Sequence, residues 1–141
     1  MDLGIAGRLA VVAGGSSGLG LASAKALAEE GVRVAICGRN EDRLRSAAAV
    51  VGHECVPIVA DVSTPEGACQ FVDAAWSALG GVDILVPNAG GPPPGNFEST
   101  EVDAYQAALD LNLLSVVAMC KTAVPFMRKQ RWGRVVAITS L

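Results

Sequence analysis

The chain has 141 residues, of which 51% are hydrophobic and 18% charged, and its formal net charge is −3. This length suits one domain with one core, and the slightly acidic balance provides no electrostatic surface for nucleic acid. The uncharged stretch of residues 84–97 is interrupted by Pro and Gly and is therefore not expected to span a membrane.

The N-terminus lacks the basic segment and apolar run of a secretory signal. We therefore expect a cytoplasmic protein that binds neither nucleic acid nor membrane. The hydrophobic fraction is high for so short a chain, so we expect part of the apolar surface to be left uncovered. Four widely spaced cysteines show no metal-ligand pattern, which favours small core thiols and no metal site; they are Cys37, Cys55, Cys69 and Cys120.

Segments with strand-like and helix-like patterns alternate along the chain, which predicts a parallel sheet with helical crossovers. The predicted strands are residues 8–13, 32–37, 55–60, 83–86 and 134–139. Asn40 and Thr64 are predicted to cap the second and third helices, and Gly31 and Gly80 to end the first and third. A long fourth helix is predicted from Thr100 to about residue 128.

Rules for strand connections predict the order of the strands in this sheet. Right-handed crossovers and a reversal beside the first strand indicate the order 3-2-1-4-5, with helices on both faces. Pro57 suits an edge strand because it lacks a backbone N–H, and this order places the third strand at an edge. We therefore predict an α/β, Rossmann-type doubly wound fold that forms one domain over residues 1–141. Its ligand crevice is expected at the carboxyl ends of the strands.

The first predicted strand runs into the loop A-G-G-S-S-G-L-G and then into a helix. Gly14 permits a tight turn, and Gly18 and Gly20 allow the backbone and the helix N-terminus to approach a diphosphate. Three glycines after a strand are a weak signal alone. The topology, however, places four further residues just past the carboxyl ends of later strands: Arg39, Asp61, Asn88 and Ser140.

Over its whole length the chain resembles the short-chain dehydrogenase/reductase family, in particular its 3-oxoacyl-ACP reductases. The matching motifs are the loop glycines, Asp61-Val62, Asn88-Ala89-Gly90, Asn112 and Ser140. The resemblance implies an NAD(P)H-dependent oxidoreductase that transfers hydride between nicotinamide and a small carbonyl or alcohol substrate, with a 3-oxoacyl thioester as one candidate. It also implies a homo-oligomer, dimer or tetramer, in which the helix starting near Thr100 contributes the interface.

The resemblance also implies roles for individual residues. Asp61 and Val62 are expected to contact adenine, and the Asn88 segment is expected to line the nicotinamide-ribose side. The full set of expected cofactor contacts is Gly14, Ser16, Ser17, Gly18, Leu19, Gly20, Arg39, Asp61, Val62, Asn88, Ala89 and Gly90.

The end of the second predicted strand bears on the choice of cofactor. An acidic residue there would bind the ribose 2′-OH, but the chain has Gly38 followed by Arg39. A guanidinium suits a 2′-phosphate, and Ser16 could donate to the same group, so NADP(H) is favoured over NAD(H). The alternative is that Arg39 is a solvated residue ahead of the helix cap.

Two catalytic residues follow from the resemblance. Ser140 matches the serine that hydrogen-bonds the reacting substrate oxygen, and Asn112 matches the asparagine that holds a water of the proton relay. Helical periodicity places Asn112 on one stripe with several apolar residues, and we expect that stripe to be buried; its members are Leu109, Leu113, Val116 and Val117.

The family's acid/base pair, a tyrosine with a lysine four residues later, does not occur in these 141 residues. The single tyrosine, Tyr105, is followed four residues later by Leu109. We therefore interpret the chain as a fragment of a longer reductase, truncated after the fifth strand. A non-catalytic dinucleotide-binding or interaction module remains the alternative.

Other enzyme classes fit the residues less well. A P-loop would need Lys and then Ser or Thr directly after Gly20, and those residues are absent. A hydrolase would need a histidine near its nucleophile, but His53 is expected on the surface at the opposite edge of the sheet. A methyltransferase shares the glycine-rich turn but accounts for neither Asn88 nor Ser140.

Overall fold

A five-stranded parallel sheet forms the centre of the computed structural model, which describes residues 1–91 and 93–139. Its strands are β1 (Leu9–Val12), β2 (Arg33–Gly38), β3 (Val56–Val59), β4 (Ile84–Val86) and β5 (Arg134–Val135). Their spatial order is β3-β2-β1-β4-β5, and every neighbouring pair is parallel. The predicted fold class and strand order are confirmed, and Pro57 lies on an edge strand.

The helices connect the strands and cover both faces of the sheet. They are α1 (Gly18–Glu29), α2 (Glu41–Val51), α3 (Pro65–Leu79), α4 (Val102–Leu109) and α5 (Ser115–Lys129), with a π-helical segment (Asp110–Leu114) joining the last two. Alternate residues of β1 enter different cores. Val11 packs in a cluster with residues of α3 and α5, whereas Val12 packs with residues of α1 and α2.

The predicted helix ends are confirmed at four positions. The Asn40 side chain accepts a hydrogen bond from the Arg43 backbone N–H at 2.8 Å, and the Thr64 hydroxyl accepts one from the Gly67 N–H at 3.2 Å. Gly31 and Gly80 adopt left-handed φ values of 78° and 85° just after α1 and at the end of α3.

The fifth strand is shorter than predicted. Only Arg134 and Val135 pair in the regular ladder with β4, although Val136 N–H still donates to the Leu85 carbonyl at 2.9 Å. Among the described residues β5 has a neighbour on one side only, and its side chains are exposed. The apolar pattern of residues 134–139 indicates a strand, but the length of that strand also depends on the strands beside it. Among the described residues, β5 pairs only with β4.

The long helix begins at Val102, two residues later than predicted, and the expected burial of the Asn112 stripe is wrong. Asn112 is exposed, and its amide donates to the Ala108 carbonyl at 3.0 Å. Leu109, Leu113 and Val117 are 49%, 51% and 43% exposed. Periodicity predicts which apolar residues share a helix face, but it does not determine what covers that face. The π-helical turn also changes the direction of that face relative to α5.

The apolar exterior of this helix confirms the expectation of uncovered hydrophobic surface. The continuous helix Val102–Lys129 is also long and apolar enough to cross a bilayer by length and composition alone. Its C-terminal half packs against α3, and Met119 and Ala123 are fully buried there. A helix that lies on a soluble core meets the same length and composition criteria, so this property is weak evidence for a membrane span.

Candidate functional site

A crevice of about 570 Å³ opens at the carboxyl ends of β1, β2, β3 and β4. Its walls come from the end of β2, the loops that follow these four strands, the first turns of α1 and α2, and one residue of the π-helical segment. The lining residues are Gly14, Ser16, Ser17, Gly18, Leu19, Cys37, Gly38, Arg39, Arg43, Ala60, Asp61, Val62, Ser63, Asn88, Ala89, Gly90, Gly91 and Leu111. The crevice therefore lies where the strand order predicts a ligand site.

The glycine loop leaves no room for side chains at Gly14 and Gly20. A Cβ on Gly14 would lie 2.8 Å from Nδ2 of Asn88, and Gly14 has a left-handed φ of 60°. A Cβ on Gly20 would lie 2.2 Å from the Gly14 carbonyl oxygen. These approaches bring the start of α1 against the loop.

The N-terminus of α1 faces the crevice through Ser17 and Gly18. Among the described residues, the Ser17 side chain caps no backbone N–H of this helix. Gly18 adopts a left-handed φ of 54°, and a Cβ there would meet no described atom within 4 Å. Uncapped N–H groups, the helix dipole and an open glycine suit a diphosphate.

Asn88 joins β4 to the glycine loop. Its Nδ2 donates to the carbonyls of Ala13 and Gly14 at 3.3 and 3.5 Å. The side chain thereby stabilises the loop conformation, while Ala89 and Gly90 continue the wall of the crevice. Asn88 is thus a positioning residue for the loop as well as a lining residue.

The loop after β3 holds a carboxylate in a defined position. Asp61 Oδ1 accepts a hydrogen bond from the Ser63 backbone N–H at 3.0 Å. This bond, the Ser63 side chain and the nearby Arg39 guanidinium lower the pKa of Asp61. Asp61 is therefore an ionised acceptor at neutral pH, and the largely buried Val62 provides an apolar surface beside it.

Gly67 supports this loop from the first turn of α3. A Cβ on Gly67 would lie 1.9 Å from the Asp61 carbonyl oxygen, so only glycine permits the observed approach. Sequence reasoning missed this role, because the residue sits inside a regular helix and contacts a loop six positions earlier.

Cys37 lies under the crevice at the end of β2. Burial raises the pKa of this thiol from 9.0 to about 12, partly offset by a hydrogen bond with the Gly14 backbone. The side chain is therefore a neutral core thiol near neutral pH, as the sequence predicts, and is unsuited to be a nucleophile.

Most of the predicted cofactor residues converge on the crevice. Gly20 is the exception, since it supports the loop from behind without lining the cavity. Asn112 lies outside the crevice lining, although its neighbour Leu111 contributes to it. Ser140 lies outside the described residues. Tyr105 lines a separate apolar hollow formed by α4 and the loop before it.

Two crevice residues that sequence reasoning missed carry a side chain able to bind an anion: Arg43 and Ser63. The sequence contains a signal for Arg43: it follows Arg39 by four residues, with the predicted N-cap Asn40 between them. This spacing places both arginines at the N-terminal end of α2. Residues 1–91 and 93–139 hold no group of three His, Cys, Asp or Glu side chains arranged to bind a metal ion.

The comparisons with known proteins agree with this geometry. The family model for short chain dehydrogenases matches residues 8–141. An uncharacterized oxidoreductase of Staphylococcus aureus (strain MRSA252), SAR2567, is 33% identical over 135 residues, which is 95% of this chain and 58% of that protein. The uncharacterized oxidoreductase SSP1627 of Staphylococcus saprophyticus is 30% identical over 135 residues, covering 95% of this chain and 55% of the relative.

A solved structure shares the fold closely. The L-sorbose reductase of Gluconobacter frateurii, complexed with NADPH and L-sorbose, superposes with a TM-score of 0.90 and 35% identity over 97% of this chain and 54% of that one. The chain thus spans a little over half the length of the relatives it matches. With its sheet order, glycine loop and family match together, the chain belongs to the short-chain dehydrogenase/reductase family.

Proposed function

We propose that this chain forms the cofactor-binding part of a nicotinamide-dependent oxidoreductase. The observation that carries the proposal is the convergence of the glycine loop, Arg39, Asp61 and Asn88 on one crevice. The cramped backbone at Gly14 and the exposed N-terminus of α1 fit a dinucleotide diphosphate. The bound nicotinamide would supply hydride transfer to a carbonyl carbon, or from the corresponding carbon of an alcohol.

The chain's own residues would bind and orient this cofactor. The first turn of α1 would hold the diphosphate through its backbone N–H groups. The ionised Asp61 carboxylate would accept from the adenine amine, with Val62 packed against the ring. Asn88 would keep the glycine loop in position, since its amide already bonds two loop carbonyls.

We further propose that NADP(H) is preferred over NAD(H). Gly38 stands where a carboxylate would bind a ribose 2′-OH, and Arg39 and Ser16 both line that end of the crevice. The NADPH bound to the sorbose reductase supports the same preference. Titration of the purified protein with NADPH and NADH tests it, and we expect tighter binding of NADPH. Equal affinities, or tighter NADH, would contradict the preference.

For the reaction itself we propose reduction of a small carbonyl compound or oxidation of the corresponding alcohol. Ser140 and Asn112 are proposed, by the family resemblance, to bind the substrate oxygen and to hold a relay water. The L-sorbose of the solved relative and the 3-oxoacyl thioester implied by the family resemblance are both carbonyl compounds. The carbonyl group is the feature they share, so it defines the proposed substrate class.

A non-catalytic dinucleotide-binding module is the second candidate. It is favoured by one observation, since Tyr105 has no lysine four residues later and no other tyrosine occurs in the sequence. Monitoring NADPH oxidation in the presence of 3-oxoacyl thioesters and ketoses separates the two functions. Oxidation excludes a purely binding module, whereas cofactor binding without any oxidation shows that these 141 residues by themselves act only as a binding module.

A further inference from the structure

The π-helical segment between α4 and α5 contributes one side chain to the wall of the crevice. Leu111, its second residue, lines the crevice, whereas the neighbouring Asn112 is exposed and lies outside the lining. A π-helical turn bonds an N–H to the carbonyl five residues earlier instead of four, so it changes the direction in which the side chains of the turn point. The direction of Leu111 therefore depends on what keeps this turn π-helical.

Ser115, the first residue of α5, makes two hydrogen bonds to this turn. Its backbone N–H donates to the Asp110 carbonyl, five residues earlier. In a regular α-helix the same N–H would donate to the Leu111 carbonyl, four residues earlier. Here the Ser115 hydroxyl donates to the Leu111 carbonyl instead. The side chain of Ser115 thus supplies a donor in place of the N–H that the π-helical turn takes away from Leu111.

The burial of Ser115 makes this hydroxyl hard to replace. The residue is 0% exposed, so no water can take the place of its hydroxyl, and Met119 one turn later is fully buried in the same way. A buried hydroxyl without a partner is costly, and alanine is the better helix former at a buried position. A serine here therefore indicates that the hydroxyl is needed, and its acceptor is the Leu111 carbonyl.

We propose that Ser115 is a positioning residue, which keeps the turn π-helical through the Leu111 carbonyl and thereby holds the Leu111 side chain in the wall of the crevice. This inference rests on the proposed function, because it assumes that the crevice binds a nicotinamide dinucleotide. Without the hydroxyl, the N–H of residue 115 would donate to the Leu111 carbonyl, as in an α-helix, and α4 would turn relative to α5. Leu111 would then lose its contact with the bound cofactor.

The substitution Ser115→Ala tests the role of the hydroxyl in the turn. NMR couplings across hydrogen bonds, measured between amide nitrogens and carbonyl carbons of the isotope-labelled protein, identify the acceptor of the N–H at position 115. We expect the Asp110 carbonyl in the wild type and the Leu111 carbonyl in the variant. An Asp110 acceptor in both proteins would overturn the proposal.

Calorimetric titration with NADPH tests the link between the turn and the crevice. We expect Ser115→Ala and Leu111→Ala each to weaken NADPH binding about fivefold, since both remove the apolar contact of Leu111. The double variant should bind NADPH as Leu111→Ala does, because Ser115 acts through Leu111. Additive losses in the double variant would overturn the proposal.

Thr122→Val is the matched control for the loss of a hydroxyl. The Thr122 hydroxyl donates to the Ala118 carbonyl at 2.9 Å, also four residues earlier, but in the regular part of α5. We expect this variant to keep the NADPH affinity of the wild type. A loss equal to that of Ser115→Ala would overturn the specific role of Ser115.

The conservative variant Ser115→Thr keeps the hydroxyl but adds a methyl group to a fully buried position. We expect it to lower the urea midpoint, as Ser115→Ala does, and yet to retain the NADPH affinity of the wild type. Affinity that falls together with stability in both variants would show a merely structural role and overturn the proposal. A wild type that binds neither NADPH nor NADH would overturn the proposed function, whereas the acceptor of the N–H at position 115 would still decide the role of Ser115 in the turn.

Discussion

At the scale of single residues, the glycine loop keeps its geometry because Gly14 and Gly20 have no Cβ atom. The loop and the start of α1 meet where a Cβ on Gly20 would lie 2.2 Å from the Gly14 carbonyl. The amide of Asn88 approaches the same carbonyl. A side chain at Gly20 would therefore force apart the loop and the helix that are proposed to hold the diphosphate.

The substitution Gly20→Ala should destabilise the protein and abolish cofactor binding. We expect a loss of about 1–3 kcal/mol in the free energy of unfolding, as for other insertions into a close-packed contact. Urea denaturation measures this loss, and NADPH titration measures binding. Gly91→Ala is the matched control for stability only, because a Cβ there would meet no described atom within 4 Å but Gly91 itself lines the crevice. Equal stability of the two variants would contradict the packing described for Gly20.

The role of a residue could be predicted from the sequence where the chemistry of that residue type alone determines it. The roles of Gly14 and Gly20 in the loop follow from a strand-loop-helix pattern in which glycine has few alternatives. The contribution of Arg43 to the crevice could not be deduced in this way, because it depends on how folding places the first turn of α2 beside the loop after β2.

At the scale of elements, α3 positions the loop that carries Asp61. The Thr64 hydroxyl caps the helix by accepting from Gly67 N–H, and Gly67 in turn packs against the Asp61 carbonyl. The cap and the end of the crevice that is proposed to bind adenine are therefore parts of one local structure.

The substitution Thr64→Ala should destabilise the protein by about 1 kcal/mol, because it leaves an N-terminal N–H of α3 without its acceptor. Thermal or urea denaturation measures the change. Ser77→Ala is the control on the same helix: Ser77 is exposed, and its hydroxyl bonds only the Asp73 carbonyl one turn earlier. We expect this control to change stability by less than about 0.5 kcal/mol. A control loss equal to that of Thr64→Ala would contradict the capping role.

The predicted caps were confirmed because a cap involves residues within about four positions of each other. The end of β5 and the π-helical turn could not be predicted in the same way. The length of β5 depends on which strands flank it, and the π-helical turn has no signature in the apolar pattern of residues 102–129.

At the scale of the whole molecule, the outer face of α4 and the π-helical segment is apolar and uncovered. Val102, Leu109 and Leu113 are 81%, 49% and 51% exposed. We propose, as the family resemblance implies, that this face forms the interface of a homo-oligomer. Burying it between two subunits would remove the exposed apolar surface from water.

Light scattering coupled to size-exclusion chromatography should show a dimer or tetramer. We expect Leu113→Glu to shift the mass toward the monomer, because a carboxylate would be buried without a partner at the interface. Val50→Glu is the control, since Val50 is 60% exposed on α2. A monomeric wild type, or an equal shift in both variants, would contradict the proposed interface.

At the end of the sheet opposite the crevice, a buried carboxylate is held by residues from distant parts of the chain. Asp83 is 7% exposed, and it accepts from the Leu9 N–H at 2.9 Å and from the Gln130 side chain at 2.8 Å. Arg8 lies 3.6 Å from the same carboxylate and stacks on the Trp132 ring. These contacts join the start of β1, the residue before β4 and the segment between α5 and β5, so no local pattern indicated them.

The amino-acid sequence by itself determined the alternation of strands and helices, the order of the sheet, the glycine loop and the family. These features follow from periodicity, short-range capping and connection rules, each of which acts over a few residues or one crossover. Only the tertiary structure decided which apolar faces are covered, that Asn112 is exposed, and that Arg43 joins Arg39 at the crevice. Burial and charge pairing are set by the neighbours that folding brings into contact, which local sequence patterns do not specify.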